Sequence, residues 1–152
     1  MKEIKGKVIA RGARRTVFEL DNGNVMKIPV SKYGYRSNAR EVNVYKRCGK
    51  RLKRHLGKIV RYGDRYEYLI MKKYDRRFPK SNRFFEELKR LKRLFTEKGI
   101  YPYDIVSNRG KANYQNLRLD NDGRIIIIDY GNFIFKKPAL THKKLDGFSQ
   151  PQ

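Results

Sequence analysis

Residues 115–131 read QNLRLDNDGRIIIIDYG. NLRL has the length and character of a short strand, and DNDG is a turn built from residues whose side chains bond the local backbone or tolerate unusual dihedrals. Four consecutive isoleucines then make an apolar strand that ends on Asp129, Tyr130 and Gly131. Two readings of Asp129 are open at this point. It either opens a turn, as Asp before Gly commonly does, or is aimed by a buried strand into a site where a metal is held against phosphates.

Upstream of this stretch, SNRFFEELKRLKRLFTEKG (81–99) places Phe84, Leu88, Leu91 and Phe95 on one helical stripe. Ser81 or Asn82 caps its start, Gly99 ends it, and its outer face is strongly basic. A loop rich in Asn, Gly and Tyr leads from this helix to NLRL, and a polar tail begins at about Lys136.

The first half of the chain reads as a meander. KVIARGARRTVFEL (7–20) contains two extended segments, Val8-Ile9 and Val17 to Leu20, separated by a loop with Gly12 and three arginines. DNGN (21–24) is a hairpin turn, and VMKIPV is the third strand. NAREVNVYKRC (38–48) predicts a helix with Asn38 as N-cap and Glu41 at the third helical position, with Val42, Tyr45 and Cys48 on its apolar face. KIVRYG and YEYLIMKKY supply two more strands around Gly63-Asp64-Arg65. The expected class is α+β, an antiparallel five-stranded sheet with one helix inserted after the third strand.

The 152 residues fit one domain, and 39% apolar content with eleven Tyr and eight Phe is enough for a core. The 38 Lys and Arg against 15 Asp and Glu give a formal charge of +23. Such a surface suits nucleic acid, an anionic membrane face or a phosphorylated ligand about equally, with the densest run at KRCGKRLKRHLGK (46–58). A single cysteine, Cys48, excludes an internal disulfide and a Cys-rich zinc site, and reads as a core-facing thiol. His55 and His142 are too few and too far apart to form a ligand cluster. Neither a signal-peptide core nor a membrane-length apolar run is present, which predicts a soluble, cytoplasmic protein.

Four further polar residues stand beside predicted elements. Lys27 lies mid-strand between Met26 and Ile28, either on the solvated side of the sheet or buried against an anion. Glu41 either closes a capping box or faces the sheet. Asp104, in GIYPYDI, and Asn116, at the head of NLRL, are either turn residues or members of a site.

Their order along the chain resembles the protein-kinase-like superfamily. VMKI looks like the strand-lysine motif, YLIMKKY like the strand entering the hinge, and QNLRLDNDGRIIIIDYG like the stretch from the catalytic-loop asparagine to Asp-Phe-Gly. The resemblance covers about residues 6–133, and the chain is most similar to very small bacterial or phage-type members such as the PhoP-regulatory-network kinase-like family. It implies a minimal domain over 1–135, with a five-stranded N-lobe over about 1–72 and a truncated, mainly helical C-lobe over about 73–135. Residues 136–152 would form a basic polar tail.

The resemblance also implies ATP and Mg²⁺ as cofactors. Lys27 would contact the phosphates and pair with Glu41, Asp104 would accept a hydroxyl proton, and Asn116 and Asp129 would hold Mg²⁺. Gly12 and Arg15 would lie along the phosphates, and Met71 with Lys72, Lys73 and Tyr74 would border the adenine.

Several positions depart from the family pattern. ARGARRTV keeps only Gly12 of three loop glycines, with Ala10 and Arg15 in the other places, so that Arg14 or Arg15 either clamps phosphate or blocks the nucleotide. The usual spacing of the loop Asp and Asn is five residues, a position held here by Lys111, whereas Asp104 lies twelve before Asn116. An insertion, VSNRGKA, reconciles the two. After Gly131 there is no Ala-Pro-Glu motif and no helical substrate platform. Two functions follow as expectations: a minimal ATP-dependent kinase acting on a protein or small-molecule hydroxyl, or a kinase-like module without turnover. The second would bind an anionic partner such as nucleic acid through basic faces at 46–58 and 80–98.

Overall fold

The computed structural model describes residues 6–136. Its first half is a five-stranded antiparallel sheet, made of β1 (Gly6–Arg11), β2 (Arg15–Leu20), β3 (Asn24–Pro29), β4 (Ile59–Tyr62) and β5 (Leu69–Lys72). The order across the sheet is β1-β2-β3-β5-β4. Gly23, at φ 82°, makes the turn of the DNGN hairpin, a conformation open to glycine at no steric cost. Between β3 and β4 lie α1 (Lys32–Arg47) and a single turn, α2 (Lys50–Lys53).

α1 begins about two turns earlier than the sequence predicts. Ser31 is its N-cap position, so Asn38 and Glu41 are interior residues and neither caps the helix. Asn38 has the chemistry of a cap, but its amide is committed to tertiary partners instead, donating to Lys27 O at 3.3 Å and Tyr66 O at 3.0 Å. The first turns of α1 lie close against the sheet because position 34 is glycine. A Cβ there would stand 2.1 Å from Arg14 O and 2.8 Å from Pro29 Cα.

The second half is only partly helical among the described residues, which corrects the expectation of a mainly helical lobe. Its one α-helix is α3 (Asn82–Glu97). Ser81 Oγ accepts from Phe84 N at 3.2 Å, and Leu88, Leu91 and Phe95 are buried while Phe84 is half-buried. The rest is short pairings: β6 (Arg76–Arg77) with β8 (Leu117–Leu119) and β9 (Ile125–Ile127), and β7 (Ile100–Tyr101) with β10 (Ile134–Phe135). A 3-10 turn at Tyr114–Asn116 leads into β8.

β9 is the seam between the two halves. All three of its residues are buried, and it pairs with β8 on one side. On the other, Gly57 N donates to Ile127 O at 2.8 Å and Ile127 N donates to His55 O at 2.7 Å. Tyr130, fully buried, donates its hydroxyl to Gly57 O at 2.8 Å. Phe133 packs edge-on against Phe95 of α3. Cys48 is buried as expected, and burial pushes its thiol up to about 11. No helix among the described residues is long and apolar enough to cross a membrane.

Candidate functional site

A cleft of ≈ 880 Å³ separates the inner face of the five-stranded sheet from the β8–β9 region. Its roof is apolar, with Val17 from β2, Val25 from β3 and Met71 from β5. Lys27, Arg15, Asn116 and Asp129 line its polar end.

Alternation along β3 turns Val25 and Lys27 inward together, which is why a lysine occupies a buried position. Lys27 is 5% exposed and Glu41 is wholly buried. Lys27 Nζ donates to Glu41 Oε1 at 2.9 Å, Glu41 Oε2 at 3.2 Å and Ile128 O at 2.7 Å. The lysine therefore ties together the sheet, α1 and the end of the isoleucine strand.

Glu41 carries a second cation. Arg15 Nη1 donates to Glu41 Oε1 at 2.9 Å and Arg15 Nη2 to Oε2 at 3.3 Å, while Nη1 also reaches Asn38 Oδ1 at 2.9 Å. Tyr130 N donates to Glu41 Oε2 at 2.8 Å. Burial alone would push the Glu41 carboxyl up. Arg15 and then Lys27 outweigh burial and hold it down at about 2. Burial lowers Lys27 against the opposing pull of Glu41, and for Arg15 the carboxylates outweigh burial and raise it.

Asp129, between the two residues whose backbone bonds Lys27 and Glu41, joins the network through Arg15. Its Oδ1 accepts from Arg15 Nη2 at 3.1 Å, and its side chain is 48% exposed to the cleft. Arg15 is thus turned inward between two carboxylates. Sequence reasoning reached Arg15 only as a phosphate clamp or a block, because both of its acidic partners lie far along the chain.

Asp104 and Asn116 meet directly: Asn116 Nδ2 donates to Asp104 O at 2.9 Å. Their separation in sequence is taken up by a small hairpin. Val106 bridges Ala112, Ser107 N donates to Lys111 O at 2.7 Å, and Gly110 turns the tip at φ 74°. VSNRGKA forms this hairpin, and Lys111 sits within it. Asp104 adopts φ 68°, a left-handed conformation that Asp tolerates better than most residues. Its Oδ2 accepts from Asn132 Nδ2, and Asn132 Oδ1 accepts from Arg14 Nη1 at 2.6 Å. Arg14 and Arg15 thus reach the two candidate catalytic carboxylates, one through Asn132 and one directly.

Two expected nucleotide contacts sit at the rim. Gly12 N donates to Arg15 O at 2.9 Å, closing a tight loop above the cleft. Lys73 lines the cleft beside Met71, with its ammonium held by Asp75 and, at 3.6 Å, by Glu19. Of the expected tail, 136–152, Lys136 is described, its N donating to Gly99 O at 2.7 Å, and 137–152 lie outside the described residues.

Missed in the sequence were Asn38, Asn132 and the glycine contacts. Asn38 stands one turn before Glu41 on the same helical face, which is the signal that could have found it. Gly131 packs on Ser37, whose Cβ would lie 3.0 Å from a Cβ added at 131, so the glycine after the Asp-Tyr pair lets α1 approach.

The five-stranded antiparallel sheet, with a helix glutamate on a strand lysine and an aspartate beside them at one end of a cleft, has a fold similar to that of solved kinase structures. The Legionella pneumophila Lpg2603 kinase, solved bound to IP6, matches with a TM-score of 0.58 at 19% identity over 91% of this chain and 52% of its own. WbdD in complex with the kinase inhibitor LY294002 matches with a TM-score of 0.57 at 12% identity over 93% of this chain and 37% of its own. The chain therefore spans about half, or less, of the length of these structures. By sequence it matches no family model and no curated protein.

Proposed function

We propose that this chain is a minimal phosphotransferase that binds ATP in the cleft and transfers its terminal phosphoryl group to a hydroxyl of a protein or small molecule. The observation that carries this reading is the buried Lys27–Glu41 pair held beside Asp129 at the polar end of one cleft. Phosphoryl transfer depends on positioning and charge neutralisation more than on covalent chemistry, and this arrangement offers both. Likeness to kinase structures supports the same class.

The adenine would lie under Val17, Val25 and Met71, and Lys27, oriented by Glu41, would meet the phosphates. The donor set fits a hard cation held mainly by phosphate and water. Asp129 offers a half-exposed carboxylate, and Asn116 spends its Nδ2 on Asp104 O, leaving Oδ1 as its remaining acceptor. A magnesium ion there would offset phosphate charge. Asp104, fixed by Asn132 and Asn116, would accept the proton of the attacking hydroxyl.

A second reading is favoured by the Arg15–Asp129 contact, which occupies one oxygen of a metal ligand. In it the chain binds a nucleotide or other anion without turnover. Phosphoryl transfer from γ-labelled ATP, including to the protein itself, by wild type and Asp129→Ala with Mg²⁺ or Mn²⁺ decides between them. Transfer by wild type alone supports the enzyme, and no transfer by either supports the binding module.

A further inference from the structure

The proposed nucleotide cleft is lined by eight lysines or arginines against three carboxylates. The surplus is comparable in size, and opposite in sign, to the roughly four negative charges of a free nucleoside triphosphate. Its innermost part is also balanced without a metal. Lys27 alone would neutralise Glu41, so Arg15 is an additional cation, and its Nη2 points to Asp129 Oδ1 at 3.1 Å. A strand lysine, a helix glutamate and a strand-end aspartate together carry one net negative charge, which a divalent ion would have to offset before phosphates approach. Here Arg15 cancels it.

Arg15 is also built to stay. It is 8% exposed, and four contacts to Asn38, Glu41 and Asp129 fix its guanidinium, so little side-chain ordering remains when an anion arrives. Beside it Arg14 is exposed, with its Nη1 on the neutral amide of Asn132, and can follow a phosphate. We propose that the cleft captures a nucleoside triphosphate on its own cations, Arg14 and Arg15 foremost, and that a divalent metal is needed for transfer but not for capture. This rests on the nucleotide reading above.

The test is ATP affinity, measured by calorimetry on the full chain with excess Mg²⁺ and again with EDTA. The expected dissociation constant in EDTA lies within about tenfold of the value with Mg²⁺. In EDTA, Arg15→Gln and Arg14→Ala each weaken binding by about tenfold or more, while Arg51→Ala, which removes the same charge from exposed α2, leaves it unchanged. Arg14→Ala alters an exposed side chain, so the test stands even if Arg15→Gln lowers the melting temperature. A loss beyond tenfold on removing the metal overturns the proposal and leaves the nucleotide reading intact. Equal weakening by Arg51→Ala and Arg14→Ala also overturns it, since binding would then follow bulk charge. No ATP binding in either buffer removes both.

Discussion

Arg15 Nη2 donates to Asp129 Oδ1 at 3.1 Å, joining residues 114 positions apart. The contact is dry at one end and wet at the other, since Arg15 is 8% exposed and the Asp129 side chain 48%. Arg15 keeps its Glu41 and Asn38 partners if Asp129 is lost. Asp129→Ala should therefore change stability by no more than about 1 kcal/mol, as expected for a half-solvated pair. Phosphoryl transfer should fall to background, and urea unfolding with a transfer assay reads both.

Glu41 answers to a different rule. It is wholly buried beneath two cations, and removing its charge leaves buried Lys27 without a carboxylate and Arg15 with Asp129 alone. Glu41→Gln should cost about 3–5 kcal/mol in urea unfolding. Lys27→Ala should cost clearly less, because Arg15 and the Tyr130 amide remain on the carboxylate. A Lys27→Ala loss equal to that of Glu41→Gln would show that Arg15 does not carry the site.

The same carboxylate sets an acid limit. Its folded pKa, about 2, lies below the ordinary 4.5. A depressed value means that the stabilisation is present in full above 4.5 and drains away as pH falls towards 2. The loss attributable to Glu41 is about 3 kcal/mol across that window. Denaturant unfolding as a function of pH should show it in wild type, and the slope should flatten in Glu41→Gln.

Gly34→Ala introduces a Cβ against Arg14 O and Pro29 Cα, which are backbone atoms and cannot rotate away. The start of α1 must then shift from the Arg14–Arg15 loop. A loss of about 2 kcal/mol or more is expected, together with weaker ATP binding than in Ala39→Gly, a change on the same helix away from that contact.

The strands of the five-stranded sheet, with β8 and β9, were legible because alternation and turn residues are local signals, whereas the two-residue pairings β6, β7 and β10 carry no such signal. VMKIPV and DNGN announce β3 and its hairpin without reference to the rest of the chain. α3 was legible for the same reason, its stripe and serine cap lying within one segment. The contact between Lys27 and Glu41 could be anticipated from residue type and order. The start of α1 could not, because KYGYRS carries no helical stripe, and close packing against Pro29 holds it helical. Arg15 was ambiguous because its direction is set by Asp129, far away in sequence, and Asp104 looked remote from Asn116 until the hairpin between them closed.

The bonds between Ile127 and residues 55 and 57, with Tyr130 Oη on Gly57 O 73 positions earlier, bear on how the chain is made. Leu56 and Met71, almost fully buried in the finished protein, belong to the core that β9 completes. During synthesis the amino-terminal sheet must wait, incompletely covered, until the isoleucine strand leaves the ribosome. A nascent chain stalled before residue 125 should be a chaperone client, readily degraded, and native burial should arise only when this strand docks. Closing so long a loop makes that docking a late, slow event and couples both halves in one folding transition.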